Sequence, residues 1–582
     1  MAVEKLIVDH IDTWTTALQT RSTAGRGSSG KIDLYGIKKL RELILELAVR
    51  GKLVPQDPND EPASVLLRGM KKQQEDLIKE KKIKKPKKLP PIDEILESIS
   101  LPQGWELCYL NDIGDWGAGA TPNRTNSGYY GGNIPWFKSG ELSEDYITDS
   151  EEHITALALK ECSLRDNQPG DVLIAMYGAT IGKTSILNTR STSNQAVCAC
   201  TPFDGLSNQY LLTFLKASKR VFTSMGAGGA QPNISKEKIV ATQFALPPLK
   251  EQLRIVEKVE QLMSLCDLLE QHSLTSLDAH QQLVETLLTT LTDSQNADEL
   301  AENWARISEH FDTLFTTEAS IDALKQTILQ LAVMGKLVPQ DPNDEPASEL
   351  LKRIAQEKAQ LVKDGKIKKQ KPLPPISDEE KPFELPEGWE WCRVSEVAMF
   401  TTSGSRDWAK YYSESGALFV TMGNLSKDSY DLRMDNRRYV NPPENGEGLR
   451  TKLEPFDLII SITGDVGNLG LIPEDLGLAY INQHSCLLRF IPICRNYYFP
   501  ELMRSPLAKL QFNAPQRGIK NSFRLSDVET MVIPLPPYKE QTLIAEKIKV
   551  LMNICDVLRT SIQSAQQTQL HLADALTDAA IN

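Results

Sequence analysis

The most regular apolar spacing in the chain steps +4, +3, +4, +3 through Ile255, Val259, Leu262, Cys266 and Leu269, and Ile544, Ile548, Leu551, Cys555 and Leu558 repeat it. Alternating threes and fours keep one helical face apolar and predict a coiled-coil seam, with both cysteines as core residues. Each run follows a Leu-Pro-Pro, at Leu246–Pro248 and Leu535–Pro537, which ends a strand and pre-sets a helix start. Continued from 249 to 291, the first helix covers 43 residues (291 − 249 + 1), about 65 Å at ~1.5 Å per residue. Upstream, Ile37, Leu40, Ile44 and Leu47 step +3, +4, +3, echoed by Ile321, Leu324, Ile328 and Leu331. Gly51 and Gly335 stand where those helices should stop.

The echoes are parts of a tandem duplication. Leu47 to Leu67 recurs as Leu331 to Leu351, an offset of 284, with only Arg50/Met334 and Val65/Glu349 changed, 19 identities in 21. Leu246 to Leu269 matches Leu535 to Leu558 at an offset of 289, with 14 identities in 24. Even His10-x-Asp12-Thr13 returns as His310-x-Asp312-Thr313. Between the matched blocks, residues 109–240 and 393–530 share almost no recognisable sequence; in both, short apolar runs alternate with polar, glycine-rich loops, the signature of strands.

The expected fold is α+β: two globular mixed α/β domains joined by long antiparallel coiled-coil helices, with pseudo-two-fold symmetry because equivalent faces make equivalent contacts. The expected segments are 1–100, a helical region with a lysine-rich connector; 101–245, a first variable domain; 246–384, a central helical region with a second connector; 385–533, a second variable domain; and 534–582, a C-terminal helix.

Composition adds limits. A chain of 582 residues with 41% hydrophobic and 24% charged side chains is ordinary for globular proteins, which excludes wholesale disorder. Charges interrupt every apolar stretch before the ~18 residues a bilayer span needs, and Met1 to Lys5 opens no export signal. A cytoplasmic protein without a membrane anchor is expected. Nine cysteines without Cys-x-x-Cys imply neither a disulfide framework nor structural zinc.

The net charge of −12 is unevenly placed. Residues 249–320 carry 14 acids against 4 bases, whereas 71–88 carry nine lysines against three acids and 352–371 eight Lys/Arg against two. The two basic runs occupy equivalent positions and suit either phosphate contact or a solvated surface.

Catalytic signatures fail on inspection. Gly178-Ala-Thr-Ile-Gly182-Lys183-Thr184 is one residue short of a phosphate loop, with Tyr177 where its first glycine should stand. Asn441-Pro-Pro-Glu444 lacks the aromatic ring that stacks on an extruded base in amino-group DNA methyltransferases. Gly117-x-Gly119 and Gly226-x-Gly228-Gly229 read as turns rather than a dinucleotide or methyl-donor loop. With seven His and no recognisable nucleophile or paired carboxylates, the chain reads as a binder and not an enzyme. Repeat arithmetic alone leaves open a two-headed protein adaptor.

The loops carry the resemblance. Gly119-Ala-Thr-Pro122, Ile134-Pro-Trp136, Ser139-Gly140, Gly170-Asp-Val-Leu-Ile-Ala-Met176, Asn194-Gln-Ala196 and Leu-Pro-Pro-x-x-Glu-Gln, with duplicated helices flanking two unlike domains, resemble the specificity subunit of type I restriction-modification enzymes, the type IB branch included. That resemblance implies a non-catalytic subunit. Each target-recognition domain would read one half of a split, asymmetric double-stranded DNA site, while the helices set the gap and dock two modification subunits; two restriction (motor-nuclease) subunits complete the assembly. It implies no cofactor on this chain, with S-adenosylmethionine, ATP and Mg on the partners.

Candidate DNA-contacting residues follow from loop position and side-chain type, since Arg, Lys, Asn and Gln suit base edges and Ser and Thr suit phosphate. In the first domain they are Arg124, Asn126, Lys138, Ser139, Tyr177, Thr180, Lys183, Asn194, Gln195 and Asn233. In the second they are Arg406, Lys410, Asn424, Arg437, Arg438, Thr463, Asn468, Asn482 and Gln483. No metal ligands are expected.

Overall fold

The computed structural model describes residues 3–21, 31–92, 101–226, 232–404, 408–443, 448–514 and 523–581. They fall into two compact units, Met1–Ser276 with Ala565–Asn582, and Leu277–Ser564. Each is α+β. Among the described residues no helix is long and apolar enough to cross a membrane.

The repeated blocks form the helices their spacing predicts: α1 (Tyr35–Val49), α2 (Ala63–Lys79), α3 (Leu249–Asp293), α4 (Glu318–Val333), α5 (Ala347–Lys363) and α6 (Tyr538–Ile581). Gly51 and Gly335 end α1 and α4 at φ +66° and +68°, a conformation that costs glycine little. Ile255, Val259, Leu262 and Cys266 are buried in the first unit, and Ile544, Ile548 and Cys555 in the second. At ~1.5–3 kcal/mol per fully buried aliphatic side chain, these seams contribute far more than the ion pairs on their rims.

Those rims differ in polarity. In the first unit Arg41 pairs with Asp267 and, at 2.6 Å, with Glu270. In the second, Lys325 and Asp556 repeat the first pair (41 + 284, 267 + 289), but the position of Glu270 holds Arg559, which pairs with Asp322.

The shared Lys-Glu-Gln explains its own repetition. Gln56 Nε2 donates to Gly51 O (2.7 Å) and Glu251 Oε1 (3.0 Å), and Gln340 Nε2 donates to Gly335 O (2.5 Å) and Glu540 Oε1 (3.2 Å). Trp389 Nε1 also donates to Glu540 Oε2 at 2.9 Å. Gln252 takes the Ser207 N–H at 2.8 Å, fixing the start of the Asn208–Ala217 helix. Each Glu-Gln therefore ties the long helix to the turn after α1 or α4 and to the adjacent head.

Each head enters and leaves through one antiparallel pair, Glu106–Tyr109 with Gln243–Leu246 and Glu390–Arg393 with Val532–Leu535. Inside, the first unit has a sheet ordered Gly114–Ala118, Val197–Pro202, Val172–Ala175, Thr184–Leu187, Tyr146–Ile147. The second has Ala398–Ser403, Ser485–Phe490, Leu458–Ser461, Leu469–Leu471 in the same order. A smaller sheet in each contains a parallel pair, Tyr130–Phe137 with Thr192–Ser193 and Ala417–Val420 with Ala479–Ile481. One strand plan thus underlies sequences that share almost no letters.

Candidate functional site

Gly119 begins the loop end of the first head. A Cβ there would lie 2.1 Å from Ser193 O and 2.4 Å from Asn194 O, so only glycine lets the two crossing loops touch. Ala120 N donates to Ser193 O at 3.0 Å and Asn194 N to Phe137 O at 3.0 Å. Thr121 Oγ1 donates to Gln195 Oε1. Lys183 Nζ reaches Gly140 O at 3.4 Å, and Tyr177 and Asn233 form a backbone bridge. These bonds link the loops that carry Lys138, Ser139, Tyr177, Thr180, Lys183, Asn194, Gln195 and Asn233, and Arg124 joins them through Glu152.

Arg124 is the most distinctive member. Its guanidinium lies 4.7 Å from the Tyr130 ring centroid and 5.0 Å from that of Trp136, and Nη1 meets Glu152 Oε2 at 2.7 Å. Lys138 Nζ holds the other carboxylate oxygen at 2.6 Å. Hydrogen bonds from Arg124 and then Lys138 pull the Glu152 carboxyl below its usual range, while Glu152 raises both cations. The triad carries net +1, and the aromatic rings limit the rotamers of a forked donor that could meet a guanine edge.

Other candidates serve local geometry. Asn126 Oδ1 accepts from Gly128 N at 3.0 Å, Asn194 Oδ1 accepts from Ala196 N at 3.0 Å, and Thr180 Oγ1 donates to Tyr177 O at 2.7 Å. Ser139 starts a short 3-10 turn and is half-buried, while the Tyr177 side chain is exposed. The run 178–184 turns once at Gly178–Thr180 and enters strand Thr184–Leu187, with no following helix to cradle a phosphate.

The second head repeats the crossing. A Cβ on Gly404 would lie 2.2 Å from Ile481 O and 2.5 Å from Asn482 O. Thr463 Oγ1 and His484 Nδ1 lie 2.8 Å apart, and Gln483 Nε2 and His484 Nε2 3.0 Å apart. Asn482 Oδ1 accepts from His484 N at 3.1 Å. Arg437 and Arg438 are exposed beside strand Tyr439–Val440, and Lys410 Nζ lies 4.9 Å from the Tyr411 ring. Arg406 lies outside the described residues.

Two expectations need correction. Asn424 is 2% exposed; Thr421 N donates to its Oδ1 at 2.9 Å, and its Nδ2 donates to Arg433 O at 2.8 Å. Its amide is spent on folding the loop back. Asn468 is 9% exposed against strand Leu458–Ser461, with its N–H bonded to Ser461 Oγ at 2.8 Å. Both side chains are buried in the fold. Glu152 and His484, in contrast, organise the loop ends and were missed: Glu152 is 28 residues from Arg124 (152 − 124), and His484 is legible only as the neighbour of Asn482-Gln483.

A family model described as "Type I restriction modification DNA specificity domain" matches residues 102–279 and 386–567. The chain is 47% identical to the type I restriction enzyme EcoAI specificity subunit of Escherichia coli and 45% identical to the EcoEI specificity subunit of Escherichia coli, with 100% of both chains covered in each case. A solved HsdS subunit from Thermoanaerobacter tengcongensis is 17% identical, covering 83% of this chain and 98% of that one, with a TM-score of 0.39.

Proposed function

This chain belongs to the type I restriction-modification DNA specificity family, and on that premise we propose that the loop end of each head reads one half of a split, asymmetric site on double-stranded DNA. It is a specificity subunit and does no chemistry itself. The observation that carries the reading is the pairing of one strand plan with unlike loop chemistry. The same crossing at Gly119 and Gly404 presents Arg124, Lys138 and Gln195 in one head and Thr463, Gln483 and His484 in the other. Like scaffolds with unlike edges suit a target whose halves differ.

The reading heads are 101–245 and 385–533, flanked by the helical regions 1–100, 246–384 and 534–582. The helices set the spacer and dock two modification subunits, which bind S-adenosylmethionine and methylate adenine. Two restriction subunits add ATP- and Mg-dependent translocation and cleavage. Base readout in the first head rests on Arg124, Asn126, Lys138, Lys183, Asn194, Gln195 and Asn233, and in the second on Arg406, Lys410, Arg437, Arg438, Asn482 and Gln483; Ser139, Tyr177, Thr180 and Thr463 face the backbone. Selection from a randomised duplex library, with and without modification subunits, is the test. Enrichment of one split motif is expected, and recovery of no motif in either arm overturns the reading.

A further inference from the structure

The lysine-rich connectors do not trail away from the helices that precede them. After α2, residues 83–92 run without helix or strand, and only Ile83, Pro86, Leu89 and Ile92 are half-buried. The lysines between them, Lys84, Lys85, Lys87 and Lys88, are exposed. A period of three is that of an extended left-handed strap rising ~3.1 Å per residue, so like positions recur every ~9 Å. Tyr109 OH fixes the strap by donating to Pro90 O at 3.3 Å.

The second connector repeats the arrangement at an offset of 284. Ile367, Gln370, Leu373 and Ile376 occupy the inward positions, with Leu373 the most exposed at 37%. Lys368, Lys369 and Lys371 are exposed. Arg393, at the position of Tyr109, donates to Pro374 O at 3.3 Å.

In the first unit the strap forms one wall of a groove of about 690 Å³, whose opposite wall is strand Gly114–Ala118. That strand leads directly into the crossing at Gly119. Lys82, Lys84, Lys85, Lys87, Lys236 and Arg165 line the groove against Asp115 and Glu237. Arg165 is bound to Asp115 at 2.7 Å and Lys82 to Glu80 at 2.8 Å. Glu237 is drawn down by its own first-turn N–H and Ser235, then by Lys87 and Lys236. Among the described residues, none of Lys84, Lys85, Lys87 and Lys88 makes an ion pair.

We propose that each strap is a sequence-independent track for DNA phosphates beside the reading loops, an inference that rests on the DNA-reading function. The heads make this necessary. Residues 101–245 hold 11 bases against 14 acids, and at the loop end Arg124 and Lys138 already share Glu152. Base contacts on a polyanion need backbone neutralisation, and the strap supplies four exposed lysines that pair with no carboxylate among the described residues. Its regular spacing suits a repeating polyanion better than an irregular acidic protein face.

The test uses the full chain with its modification subunits and the combined variant Lys84→Gln, Lys85→Gln, Lys87→Gln, Lys88→Gln. These side chains are exposed, so an unchanged thermal midpoint is expected. Affinity for a site-bearing and a random duplex is measured across a salt series. At ~0.9 per phosphate contact, the log–log salt slope should lose about two to three on both duplexes, while the ratio of specific to random affinity stays within about twofold. The corresponding four-Arg variant should keep the slope. An unchanged slope, or loss of the modification subunits at unchanged DNA affinity, overturns the proposal, the latter assigning the strap to an acidic protein face. Absence of any site preference in the parent complex would instead count against the reading function, since the slope is still measurable on random DNA.

Discussion

Arg124 Nη1 lies 2.7 Å from Glu152 Oε2, so on the proposed reading this exposed forked donor is held by a carboxylate that DNA must displace or share. Lys138 holds the same carboxylate. On the proposed reading, Glu152 should therefore lower affinity for any duplex while keeping Arg124 in the rotamer that the Tyr130 and Trp136 rings shape. Glu152→Gln removes one negative charge and should tighten binding to random DNA, steepening the salt slope by about one. Discrimination in the half-site read by the first head should fall, because Arg124 is then free to meet phosphate. Competition between matched and mismatched duplexes measures this, and unaltered random binding would remove Glu152 from the site.

The crossings at Gly119 and Gly404 allow a head-by-head dissection. A methyl group at either position meets a carbonyl oxygen at about 2.1–2.2 Å, with backbone on both sides and nowhere for it to move. Gly119→Ala should cost about 1–3 kcal/mol, the range for forced overpacking, and should abolish selectivity in one half-site while sparing the other. Gly404→Ala should do the reverse. Equal damage to both halves by either substitution would mean that the heads do not read separately.

The helices were legible because the duplication prints each apolar seam twice, and Cys266 and Cys555 were identifiable as core from spacing alone. The loop crossings were legible only as glycine-rich segments, since the carbonyls that exclude a Cβ come from strands about 75 residues later in each head (194 − 119, 482 − 404). Asn424 shows why residue type misleads. Met-Gly-Asn-Leu reads like any polar turn, and only the return of the chain at Arg433 buries the amide. Glu152 escaped for the complementary reason: an acid that pairs with an arginine 28 residues away (152 − 124) has no local signature, and the pairing exists only in three dimensions.

Burial raises Glu251 and Glu540 above the ordinary 4.5, against the opposing hydrogen bonds from Gln56 and Gln340. A carboxyl raised on folding takes up its proton more readily in the native state, so its stabilising contribution is complete below the unfolded pKa and disappears as pH rises through the folded one. Denaturant midpoints taken from about pH 4 to about pH 7 should show this loss above the ordinary carboxylate value. Glu251→Gln with Glu540→Gln cannot titrate, so the difference in stability, variant minus parent, should rise with pH across that window. A difference that stays flat would show that neither carboxyl titrates differently in the folded chain.

The long helices can be tested as a ruler because each serves both units: α3 contributes residues to Ser276 in the first and from Leu277 in the second, and α6 divides at Ser564/Ala565. Four residues inserted at both divisions add about 6 Å and turn each helix by about 400°, close to a whole revolution, so the apolar seams keep their facing. Against ~3.4 Å per base pair, the preferred gap should grow by one or two base pairs. Two inserted residues add about half that length but rotate the seam by about 200°, which should disrupt assembly with no clean change of gap. If the four-residue insertion leaves the gap as it was while the complex still reads both half-sites, the spacer is set by the partners and not by these helices.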